Sequence, residues 1–226
     1  MNRRLLPVAG TPFLAQRLVI FFGSCWLLTS WILVIGLRRP LLPTTETWLP
    51  GIRLMLVMAA VGLVIVWPMA AMSSTRSQPA GRTFRETCIL LVTAQLIIWP
   101  AGLVTSWSLE RTILIALTLT GWGFLAGAVA AWGRCRVSAG RRLCMMSLCL
   151  LIALISPIIM LWVENPMLER ISPLSSMWTM VSAKMSPVSA DWIVTGSIWL
   201  VALLAWGLAA GFGSCDEPLQ KRTSGT

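Results

Sequence analysis

The chain of 226 residues contains no histidine and no tyrosine, and only 8 acidic residues. Without an imidazole it cannot hold haem through histidine, build a zincin-type zinc centre, or activate a serine or cysteine nucleophile by a histidine base. No G-x-x-x-x-G-K-[ST] run occurs, so the chain has no phosphate-cradling loop for ATP. It lacks the clustered cysteine spacing of a metal site and a C-terminal lipidation box. No catalytic residue, cofactor or metal ligand is expected, and the chain is read as a non-enzyme.

What remains is mostly apolar. Hydrophobic residues make up 57% of the chain, charged ones 12%, and the mean hydropathy is +0.79, which is membrane-protein usage. A hydrocarbon core of about 30 Å requires roughly 20 apolar residues in a helix. Six stretches meet that length, at about 18–37, 54–72, 88–107, 113–132, 143–162 and 192–212, and none contains a charged residue. Trp107, Trp132, Trp162 and Trp192 lie at span ends, where an indole is favoured between lipid and water. The expected fold is all-α: one membrane domain over 1–226, a polytopic protein with six transmembrane helices. Arg3, Arg4 and Arg17 precede the first span like a signal peptide. Its length, its following Arg38 and Arg39, and its lack of a small-x-small site predict a retained helix.

The net charge of +10 would suggest nucleic acid in a soluble protein, but the basic residues fall in the gaps between spans. They mark retained loops and anionic lipid instead. Twelve of the 18 lie on the side of the two termini and the even loops, which predicts cytoplasmic N- and C-termini. No cysteine falls in an outer loop, which agrees with that orientation.

Carriers of ions or protons place charged groups inside the membrane, and these spans have none. The most polar span residue is Gln95, read either as a helix-to-helix hydrogen bond or as a lining group of a substrate path. Trp67-Pro68 and Trp99-Pro100 place prolines within spans two and three, and Ser156-Pro157 places one in span five, each a candidate kink. Gly123 and Gly127 in span four have the spacing that permits close helix approach.

Two connections carry information. Ser73 to Thr87, long enough for a short helix at the membrane surface, is read as a solvated cytoplasmic loop or, through Arg82, Arg85 and Glu86, as a docking element for a partner. In the fifth connection Leu174, Met177, Trp178, Val181 and Met185 recur with helical spacing, while Ser175, Thr179, Ser182 and Lys184 fill the other side. Ser172 as N-cap, Pro173 at the first helical position and Pro187 as terminator predict a short amphipathic helix over 173–186. At about 1.5 Å per residue its length is roughly 20 Å, too short to span and suited to lie in the interface.

This order, with the passage FLAGAVAAWGRCRVSAGRRLCMMSLCLLIALISPIIMLW followed by ISPLSSMW, resembles the six-helix permease subunits of ABC-type exporters. The resemblance covers the C-terminal half. It implies a bacterial cytoplasmic membrane, a homodimer, a separate cytoplasmic ATPase subunit attached to the second loop, and an apolar or amphipathic substrate. The second loop departs from that pattern, having Glu86 alone where such permeases carry a Glu-Arg-Gly-Thr type of run. A second reading stays open: a non-catalytic structural or assembly subunit of a larger membrane complex.

Overall fold

The computed structural model describes residues 12–32, 45–73, 77–135, 138–160, 162, 170–182 and 188–213. Among them there is no strand, as expected where the backbone must satisfy its own hydrogen bonds without water. The elements are α1 (Pro12–Trp31), α2 (Thr45–Val61), a π-helical turn (Gly62–Val66), α3 (Trp67–Ser73), α4 (Ala80–Val104), α5 (Leu109–Arg134), α6 (Ala139–Met160), α7 (Pro173–Ser182) and α8 (Ser189–Gly213).

Five of these runs are long and apolar enough to cross a membrane: Thr47–Ser73, Ala80–Val104, Leu109–Arg134, Ala139–Met160 and Ser189–Gly211. They fit an integral membrane protein. They match the second to sixth predicted spans, each starting earlier, while the third and fifth end sooner, at Val104 and Met160. In the second loop Ala80 to Thr87 form two turns of α4, so this part of the segment is helix and not solvated loop. The first predicted span coincides with α1 over 18–31 and runs past 32 outside the described residues.

α5 is the centre. Within its apolar window 78% is buried, against 17% for α6 and 28% for α8. Its small residues explain why neighbours fit on every side, since in lipid close backbone approach replaces a hydrophobic driving force. α8 reaches Gly121 with Ile198 and Trp199, α4 reaches Gly123 with Leu91 and Gly127 with Thr87, and α3 and α6 reach Gly133 with Met72 and Met145. The pair at 123 and 127 thus serves packing within this chain.

The π turn sits just before Pro68. The Trp67 amide bonds to Gly62 five residues back, and Pro68 brings no donor of its own. α1 docks here: the Trp26 indole donates to the Met58 carbonyl at 3.1 Å and lies where a Gly62 side chain would stand. α4 ends with Ser106 at φ 53° and a Trp107 amide bonded to Gly102, a Schellman closure with serine in the place glycine favours. Ser108 then caps α5 by accepting from the Arg111 amide.

α8 runs parallel to α5, fastened by tryptophans seven residues apart. Trp192 donates to Glu110 Oε1 at 3.3 Å, Trp199 to the Leu117 carbonyl at 3.0 Å, and Trp206 to the Phe124 carbonyl at 2.9 Å. Trp132 answers from α5 onto the Ala205 carbonyl. A hydroxyl pair, Thr118 with Thr195 at 2.8 Å, completes the seam.

Candidate functional site

Two polar clusters stand at opposite ends of the bundle. The first joins the start of α4 to the end of α5. Arg134, the last residue of α5, sits favourably at the negative end of the helix dipole and turns inward to Glu86 at 2.7 Å. Both side chains are under 5% exposed. Arg134 also donates to Thr83 Oγ1 and to Gln78 Oε1, and its carbonyl accepts the Gln78 amide at 3.1 Å. Arg82, one turn before Glu86, approaches its other oxygen at 3.6 Å. The described end of the α3–α4 connection is thereby tied to the central helix.

This arrangement separates the three residues proposed for docking. Arg85 is exposed, Arg82 is partly exposed, and Glu86 is buried in the ion pair. Arg134, counted among loop charges in the sequence, is a buried structural cation. Its position seven turns from the α5 start gave no signal of that; only the pairing across 48 residues did.

Gln95 lies in the α4–α5 interface and donates to the Ala116 carbonyl at 3.3 Å and to Thr120 Oγ1 at 3.2 Å. Its amide is engaged in holding two helices together.

The second cluster is built around α7 at the other end. Pro157 in α6 has no amide hydrogen, so the carbonyl of Ala153, four residues earlier, loses its helical donor. Ser172 supplies one: its hydroxyl donates to that carbonyl at 2.7 Å. The predicted N-cap side chain is thus directed to α6, while the Ser172 carbonyl accepts the Ser176 amide. Ser175 meets Ser156 at 3.1 Å. α7 packs against α2, α5 and α6, with Met177, Met180 and Val181 buried and Leu174 half-buried. Ser172, Ser175 and Ser176 are buried as well, whereas Thr179 is half-buried and Ser182 exposed, so the hydroxyl side is covered at the start of the helix only. Among the described residues of the expected face Trp178 alone is exposed, with the Arg53 guanidinium 4.5 Å over its ring. Met185 and the rest of the predicted helix beyond Ser182 lie outside the described residues.

Two cavities adjoin these elements. One, of about 680 Å³, is an open groove between α2, α6 and α7; the other, of about 490 Å³, lies between α1, the π turn and α4 and is almost wholly apolar. Among the described residues no group of histidine, cysteine, aspartate or glutamate is arranged to hold a metal. No family model, no curated protein and no solved structure matches the chain.

Proposed function

We propose that the chain is the membrane-embedded permease subunit of an ABC-type transporter for an apolar or amphipathic substrate, with ATP hydrolysis supplied by a separate cytoplasmic subunit. On this reading α1 is the first of six transmembrane helices and both termini are cytoplasmic. The amphipathic element between the fifth and sixth helices includes α7 and lies at the outer end.

The observation that carries the reading is the tie between the α3–α4 connection and α5. A subunit that converts ATPase movement into a change of the membrane path needs a stiff link from a cytoplasmic contact to the transmembrane core. Gln78, Thr83 and Glu86 provide one, all held by Arg134 at the end of the helix on which α3, α4, α6 and α8 pack. Exposed Arg85 and partly exposed Arg82 stand beside it as the surface an ATPase would meet. α5 fills the middle of the bundle, so the substrate path forms between two copies and the working unit is a homodimer.

Gentle purification tests this directly. A stoichiometric cytoplasmic ATPase should accompany the protein and be lost on Arg85→Glu, with the melting temperature kept. A large assembly containing no ATPase would overturn the reading in favour of a structural subunit. The orientation is checked separately: a membrane-impermeant thiol reagent should leave Cys135 unlabelled in intact cells and label it once the membrane is opened.

A further inference from the structure

We infer that the groove between α2, α6 and α7 binds one anionic phospholipid, with its phosphate on the Arg53 guanidinium and an acyl chain along the groove. The site is independent of the permease reading, which concerns the opposite end of the bundle.

Arg53 carries a charge that no carboxylate among the described residues offsets. Arg53 projects from α2 about 9 Å along the axis from Thr47, within reach of the headgroup layer for a long side chain. Its Nε–H is buried and donates to no partner among the described residues, and no carboxylate among them pairs with the guanidinium. Two carboxylates described at this end are engaged elsewhere, Asp191 with Arg170 at 3.3 Å and Glu110 with the Trp192 indole at 3.3 Å. What Arg53 does have is the face of Trp178. Stacking on an indole holds a guanidinium flat and leaves its edge donors free, the geometry that suits a phosphate.

The groove supplies the second half of the ligand. Val57, one turn after Arg53 on α2, lines it together with Pro157, Met160 and Leu174, so aliphatic surface begins where the cation ends. Its volume of about 680 Å³ falls in the range of small-ligand sites, roughly 300–1,000 Å³. The hydroxyls on its wall are directed elsewhere. Thr179 donates to the Ser175 carbonyl at 3.0 Å and Ser182 to that of Trp178, which leaves Arg53 as the donor beside the groove. A free cation joined to an open aliphatic channel matches a molecule with an anionic head and a hydrocarbon tail. In a membrane that molecule is an anionic phospholipid.

The test is native mass spectrometry of the full-length protein in mild detergent, titrated with phosphatidylglycerol and with phosphatidylcholine of the same acyl chains. Wild type should retain one phosphatidylglycerol at least about tenfold more tightly than phosphatidylcholine, as expected for a charge-assisted contact. Arg53→Gln should bind the two lipids equally, whereas Arg141→Gln, which removes the same charge at the other end, should keep the preference. Val57→Phe, which narrows the groove and leaves Arg53 in place, should weaken both lipids and provides a reading if Arg53→Gln does not fold. Equal retention of both lipids by wild type, or an unchanged preference in Arg53→Gln, would overturn the assignment. Displacement of phosphatidylglycerol by millimolar inorganic phosphate would overturn it too, by giving Arg53 to a soluble anion.

Discussion

Glu86→Gln isolates what the buried ion pair contributes, because it removes one charge with almost no change of shape. Arg134 lies 2.7 Å from Glu86, and their side chains are 4% and 3% exposed. A guanidinium cannot discharge by losing a proton at any working pH, so the variant leaves Arg134 buried as an uncompensated cation, with Arg82 adding a second nearby. Removing one partner of such a pair costs about 3–5 kcal/mol. At roughly 2–4 °C per kcal/mol for a chain of this size, melting should fall by about 6–20 °C. A fluorogenic thiol reagent follows the transition in detergent. Exposed Cys144 reacts at the outset, whereas Cys149, at 1% exposure, reacts only as the bundle opens. Glu86→Leu/Arg134→Met removes both charges and should recover most of the loss, since an apolar replacement of a buried pair is often neutral or stabilising. A single variant melting within about 2 °C of wild type, or a double variant as damaged as the single, would refute the reasoning.

The Ser172 contact is checked by a two-residue cycle: Ser172→Ala should cost about 1–3 kcal/mol by leaving the buried Ala153 carbonyl without a donor. In a Pro157→Ala background, where the helix regains its own amide for that carbonyl, the cost should nearly vanish; equal costs in both backgrounds would refute the account. Gly127→Ala and Gly140→Ala should differ in sign. The added carbon meets Thr87 Oγ1 at 2.6 Å in the first case and nothing within 4 Å in the second. Thermal unfolding should show a loss of about 1–3 kcal/mol against a gain of up to about 1 kcal/mol. On the α5–α8 seam Trp199→Phe should cost only about 0.6 kcal/mol, the value of one helix-to-helix hydrogen bond in a membrane protein. Trp206→Ala, which empties a site packed against Phe84 and Phe124, should cost about 3–5 kcal/mol in the same assay.

How far the site was legible depended on whether its signal lay along the chain or across it. That a helix starts at Pro173 was readable from proline's fit to the first helical position and from the spacing that follows, because both are local. Its surroundings were not. Ser175 looks like part of a water-facing side, yet it is buried against Ser156, 19 residues away, just as Ser172 is buried against the carbonyl freed by Pro157. The start of α4 was read as loop because charge was taken to end a span; Arg134 supplies the counter-charge that keeps Glu86 in the helix core. Trp192, Trp199 and Trp206 did carry a visible signal, a spacing of seven, which is the repeat of one helix lying along another. Among 13 tryptophans in a membrane protein it passes for an aromatic belt.

The amino-acid sequence by itself determined the class: long charge-free runs, histidine and tyrosine absent, and prolines and basic residues placed between or within the runs. In lipid an unpaired backbone group is too costly to expose, so hydrophobic length alone obliges those runs to be helices. Tertiary structure decided which helix became the centre and which polar groups met. Inside lipid no hydrophobic gradient distinguishes one apolar face from another, so pairing falls to small residues and buried polar contacts. Gly121, Gly123, Gly127 and Gly133 made α5 the helix that four neighbours approach. Arg134 then fixed its C-terminal end and Ser172 tied α7 to α6, each through a partner that no local pattern names.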